Sequence, residues 1–221
     1  MAPGMRIPIA RASTPFVAVL VVVAVLLAAW EPWASALPVT LLGFVLWFFR
    51  DPERTTDAAP GRALSPADGR IIKLDEREGR VSIFLNLFDV HVCRAPVAGR
   101  IESLVHVPGR FLAAFKDAAS DHNERSIVEL SVPGGRMIVV LVAGLVARRI
   151  VTWVDSGQGV VRGQRIGLIR FGSRVDVEVP RGYRLTVRLG ERVRAGITEI
   201  ARCDDPVAHP GGTRSPGGGD V

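Results

Sequence analysis

Residues 16–29, FVAVLVVVAVLLAA, and 34–49, ASALPVTLLGFVLWFF, carry no charged side chain. Trp30-Glu31-Pro32-Trp33 separates them, a turn signal set between two aromatics of the kind that favour a membrane interface. Each run falls short of the about 20 apolar residues that a full span requires. Arg6 and Arg11 precede the first run, and Arg50 and Arg54 follow the second. By the positive-inside rule both flanks then lie on the cytoplasmic side. The pattern predicts a helical hairpin over residues 1–49 that dips into or barely crosses the cell membrane and anchors the rest there. A basic start, an apolar run and Ala34-Ser35-Ala36 also fit a secretory signal peptide. The second apolar run would then remain as an anchor.

The chain changes character after Phe49. Residues 50–64, RDPERTTDAAPGRAL, read as a polar linker. Residues 65–203 alternate densely between apolar and polar positions, with glycine and proline punctuating the runs. That pattern predicts a mainly β domain, an antiparallel barrel or sandwich. One stretch, 109–120, has helical spacing, with Phe111, Leu112 and Phe115 on one side. The Gly- and Pro-rich residues 204–221 read as a disordered tail. The formal net charge is +6, but no block of basic residues and no nucleic-acid reading motif occurs. An anionic membrane surface is the partner that this charge suits, and nucleic acid is not expected. Cys93 and Cys203 lie far apart and match neither a metal spacing nor a disulfide framework.

Reactive chemistry is sparse. GLIRFGSRVDVEV (167–179) places Gly172-Ser173 at a tight bend between two strand-like runs. The segment before it, VRGQRIGLI (161–169), looks like the hairpin of a lipoyl or biotinyl carrier. Such carriers need a lysine at the tip, and the chain's two lysines, Lys73 and Lys116, lie elsewhere. In FDVHVCRAP, strand alternation puts Asp89, His91 and Cys93 on one face, and Val90, Val92 and Arg94 on the other. The trio is either a solvated sheet face or the lining of a site. SPADGRI (65–71) is a turn with one carboxylate, Asp68. No nucleophile elbow, phosphate loop or zinc helix motif is present, so no metal is expected.

Taken in order, FFRDPER, SPADGRI, FLNLFDVHVCRAPVAGRI, HNERS, GLVARRIV and GLIRFGSR resemble the phosphatidylserine decarboxylase proenzymes, specifically their short bacterial and archaeal form. The likeness runs from about residue 48 to 203. It implies that the chain cuts itself between Gly172 and Ser173, leaving a β-chain of 1–172 and an α-chain of 173–221 associated as a heterodimer. It implies that Ser173 becomes a covalent pyruvoyl group, with no metal or added coenzyme. The amine of phosphatidylserine would condense with that group as a Schiff base, lose carbon dioxide and leave as phosphatidylethanolamine.

The family's motifs carry over with one departure. Longer members read D-x-H-x-x-H and pair an aspartate of the PADG turn with the second histidine. Asp68 matches that aspartate and His91 the first histidine, but Arg94 stands at the second histidine's place. A guanidinium stays charged and makes no base at neutral pH. Three readings remain: His91, oriented by Asp68 or Asp89, does both jobs; Asp68 is the base; or the chain is not cut. The first is favoured. Arg94, Arg125 and Arg148 are candidate contacts for the substrate's phosphate or carboxylate, and Arg149 lies beside the last. The competing functions are a non-enzymatic carrier-like membrane protein and a pyruvoyl decarboxylase for another amine-bearing acid.

Overall fold

A computed structural model describes residues 9–56, 60–110, 122–132, 135–144, 149–170 and 172–203. The tail over 204–221 lies outside them, as does the helix expected over 109–120 apart from Gly109 and Arg110. The apolar N-terminus forms two helices, α1 (Thr14–Trp30) and α2 (Ala36–Phe48), joined through a short turn. The hairpin closes at its base, where the amide of Ala10 donates to the carbonyl of Phe49 at 2.8 Å. No residue of α1 is buried, although nearly every one is apolar. With the turn before it, the helical stretch Arg11–Trp30 is long and apolar enough to cross a membrane. That exceeds the bare apolar run, because the flanking residues continue the helix. The second helical stretch is shorter.

Fourteen strands follow among the described residues, β1 to β14 in chain order, arranged in three antiparallel sheets. The largest runs β13 (Arg192–Val193), β2 (Gly69–Asp75), β3 (Arg80–Leu85), β11 (Ser173–Glu178), β7 (Gly135–Val142), β6 (Arg125–Val132), β5 (Gly99–Val107), β9 (Gly159–Val160). A second sheet is β1 (Arg62–Leu64), β14 (Glu199–Cys203), β12 (Tyr183–Leu185). The third is β4 (Val92–Arg94), β10 (Arg165–Ile169), β8 (Ile150–Thr152). The sheets stay open, so the mainly β expectation holds as a sandwich-like fold rather than a closed barrel. Alternation explains the core: β6 buries every second residue, and Val128 and Leu130 meet Val139 and Leu141 of β7 and Val175 and Val177 of β11.

Two sequence expectations change. β10 and β11 flank Gly172 but do not pair with each other: β10 pairs β4 and β8, and β11 pairs β3 and β7. The bend is therefore a crossing between two sheets, not a hairpin tip. The polar linker is also no free tether. Its last residues form β1, and Asp51 and Arg54 are locked into ion pairs with the body.

Candidate active site

Ser173 opens β11, directly after the crossing, and its side chain is fully buried. Gly172 before it has φ +57°, a backbone region that side chains disfavour, while the space where a Cβ would stand is empty. Backbone conformation rather than crowding therefore calls for glycine.

His91 approaches the same crossing from β4, its carbonyl accepting from the Ile169 amide at 3.2 Å. It is fully buried, as is Cys93, which rules out a solvated sheet face. Alternation divides the segment as expected in one respect. Val90 and Val92 join a small cluster with Phe48, Phe49 and Leu168, whereas Cys93 joins the main core. Burial pushes the Cys93 thiol far up, which makes it an inert filler.

The protonation of His91 follows from its contacts. Its Nδ1 lies 2.9 Å from the Asp89 carbonyl, and a carbonyl only accepts, so Nδ1 carries the proton. Nε2 is then the basic nitrogen, and it is buried without a hydrogen-bond partner. Burial, aided by the charge of Arg50, lowers the imidazole pKa to about 4 against the smaller opposing pull of the Asp89 carbonyl and Asp68. The ring is therefore a neutral base at pH 7. Ser173 Oγ is likewise buried and unpartnered. A buried hydroxyl and a buried imidazole nitrogen left without partners are each costly.

Asp68 is placed tightly but faces elsewhere. Both its oxygens accept from Arg54, the Nη2–Oδ2 contact being 2.7 Å, and Oδ1 also accepts from the Ala195 amide at 2.8 Å. The next residue, Gly69, lies so close to β3 that a Cβ would collide with the carbonyl of Phe84. The Asp89 carboxylate is also engaged, accepting from the Asn86 amide at 2.9 Å. His91 is thus oriented by the backbone of Asp89 and by neither carboxylate.

The candidate arginines separate. Arg94 is buried, donating to the carbonyls of Gly163 at 3.0 Å and Pro52 at 2.9 Å, with Asp51 at 3.3 Å. Its guanidinium holds the linker at Asp51 and Pro52. Arg125 is half-buried and donates to the carbonyl of Asn123. Arg148 lies outside the described residues.

FFRDPER, a motif of the family likeness whose charged residues open the linker, also packs against His91 and Asp68. The Phe48 ring stacks on His91 with centroids 4.4 Å apart. Arg50 donates to the Phe88 carbonyl, Asp51 binds Arg94 and Arg165, and Arg54 binds Asp68. A signal existed, since charged residues right after an apolar helix are costly to bury unless paired. A cavity of about 860 Å³ also opens at the hairpin base, between Ala10, Val17, Trp153 and Arg165, and its lining includes neither Ser173 nor His91. Among the described residues, no group of three His, Cys, Asp or Glu is placed to hold a metal.

These features define a protein of β-sandwich type, with an apolar helical hairpin at its N-terminus and a serine and a histidine each buried without a side-chain partner on Oγ and Nε2. The model of the phosphatidylserine decarboxylase family matches residues 41–201. Over 210 residues the chain is 50% identical to the phosphatidylserine decarboxylase proenzyme of Symbiobacterium thermophilum, covering 90% of this chain and 97% of the relative. Identity to the proenzyme of Xanthobacter autotrophicus is 45% over 216 residues, 92% of each chain. For that of Burkholderia cenocepacia it is 45% over 206 residues, 89% and 96%. The chain belongs to the phosphatidylserine decarboxylase family.

Proposed function

We propose that this chain severs itself between Gly172 and Ser173 and, as an enzyme of its family, decarboxylates phosphatidylserine to phosphatidylethanolamine and carbon dioxide. The observation that carries the self-processing is the pair of buried, unpartnered atoms, Ser173 Oγ and His91 Nε2, at a left-handed glycine. Nε2 takes the hydroxyl proton, and Oγ attacks the carbonyl carbon of Gly172. The Gly172–Ser173 amide breaks, its nitrogen regains a proton, and an ester joins the two residues. Loss of the Ser173 Cα proton expels Gly172 as a carboxylate. Water then replaces the nitrogen of the new N-terminus, which leaves as ammonia, and a ketone remains.

The pyruvoyl group so formed supplies the electron sink for loss of carbon dioxide. The burial of Ser173 after a left-handed glycine and the lowered pKa of the buried His91 ring support this reading. His91 Nε2 holds and returns the proton that replaces the carboxylate. Asp68, held by Arg54, positions the turn beside β4 and favours the imidazolium of His91 as it forms. Arg94 anchors the linker, and neither Arg125 nor Arg148 is assigned a contact to substrate.

Cleavage leaves the halves together. β11 is the first strand of the α-chain and lies between β3 and β7 of the β-chain, while β13 pairs β2 and β14 pairs β1. The heterodimer is thus held by an internal strand. The hairpin anchors it on the cytoplasmic side, where the phospholipid stays embedded and needs no passage through water.

Mass spectrometry of the purified protein tests this. Fragments 1–172 and 173–221, the second beginning with a ketone that borohydride reduces, are expected. His91→Ala is expected to remain a single full-length chain. An intact, active wild-type chain would overturn the mechanism.

A further inference from the structure

The crossing that carries Gly172 also carries an arginine that the chemistry above does not use. Arg170 directly follows β10, and its amide points to the Arg149 carbonyl at 3.4 Å. Three residues reach at most about 10 Å, so its backbone is close to Ser173. Its guanidinium lies over the ring of Phe16, 5.1 Å from the centroid. Phe16 belongs to the first turn of α1 and stacks on Phe49 at the hairpin base. Arg170 therefore reaches the end of the apolar hairpin from a point in the chain three residues before Ser173.

Its charge is poorly compensated. The Nε atom is buried without a hydrogen-bond partner. Among the described residues no carboxylate forms an ion pair with Arg170 or Arg149. Burial and then the like charge of Arg149 lower its pKa, so both act against the cation. A half-buried guanidinium beside a second cation, without an acid, suits an anion supplied from outside. The planar fork of arginine matches a phosphate in geometry. In a phospholipid whose amine reaches residue 173, the phosphodiester lies between that amine and the acyl chains.

We propose that Arg170, with Arg149 beside it, is the seat of the substrate's phosphodiester, a binding residue that sets how the lipid head group enters. The inference rests on the decarboxylase reading above. It assigns no step of bond breaking to either arginine.

The test uses the full-length, self-cleaved protein in detergent, with activity counted per cut chain from the α-chain mass. The substrate is a short-chain, water-soluble phosphatidylserine. Arg170→Gln is expected to raise KM about tenfold to a hundredfold, the scale of a lost charged hydrogen bond, with kcat within about threefold. Arg170→Lys recovers part of the loss. Inorganic phosphate competes with substrate in the wild type and loses that effect in Arg170→Gln. An unchanged KM, or equal inhibition of both proteins by phosphate, overturns the seat. A rise in KM seen only with bilayer-embedded substrate assigns Arg170 to neighbouring anionic lipids and also overturns it. If Arg170→Gln is not cut, Arg149→Gln and the wild-type competition decide, and no competition by phosphate refutes the proposal. A wild-type protein that releases no carbon dioxide fails the decarboxylase reading instead, before any variant is compared.

Discussion

His91 shows how one residue's surroundings set its chemistry. Its ring is sealed by Phe48 on one side and tied through Nδ1 to a carbonyl, so the neutral form is favoured and the proton-accepting nitrogen is fixed. The folded protein holds this group at about pH 4, whereas the unfolded side chain titrates near 6.5. Between those values the unfolded chain binds more protons, so stability falls as pH drops through the window from about 6.5 to 4. The full contribution is present above it, and the loss at the bottom is on the order of 3 kcal/mol. Of the charges that reach the ring, Arg50 acts with burial and Asp68 against it. Urea unfolding in detergent at pH 7 and pH 5 is expected to show a larger loss for the wild type than for His91→Phe. Equal losses would show that the imidazole is not held neutral by the fold.

Elements do more than carry their own residues here. α2 ends in Phe48, and that ring shields His91, so on the proposed mechanism the hairpin belongs to the site as well as anchoring the protein. Phe48→Ala is expected to destabilise the protein by about 3–5 kcal/mol through the cavity it leaves. It is also expected to raise the His91 pKa toward 6.5, read from the imidazole proton shift in an NMR titration. A pKa that stays near 4 would mean that other groups do the sealing. Strands and helices were legible from the sequence because their signals are local: alternation over 173–178 and uniform apolarity over 16–29 need no partner to be recognised. Asp68, His91, Gly172 and Ser173 were found through motif likeness. The clamp of Arg54 on Asp68, the stacking of Phe48 on His91 and the crossing at Gly172 were not legible. Each depends on which distant segments pair, and register between sheets leaves no mark in a single strand's pattern. The contacts of Arg94 were not legible for the same reason, since its partners lie more than forty residues away in either direction.

For the whole molecule, the distribution of apolar surface gives the orientation against lipid. α1 and α2 expose apolar side chains on all sides, a surface that water does not favour. That surface continues onto the body through one loop. Phe88 is 70% exposed and meets the Trp47 ring edge-on at 5.8 Å, with Leu87 and Phe44 also exposed nearby in sequence or contact. Arg50 stacks on Trp47 from the other direction and holds the Phe88 carbonyl, as expected where cations meet lipid head groups. On the proposed membrane attachment, the loop that precedes His91 is expected to dip into the same interface as the hairpin. A Phe88→Trp variant is expected to lose fluorescence to lipids brominated on their acyl chains. Phe88→Asp is expected to lower kcat/KM on bilayer-embedded phosphatidylserine about tenfold or more, given the area of one phenyl ring. Its activity on short-chain soluble substrate should stay near wild type, because no contact to the reacting groups is lost. Equal losses on both substrates would place the loop's role inside the fold, and unquenched fluorescence would place Phe88 in water.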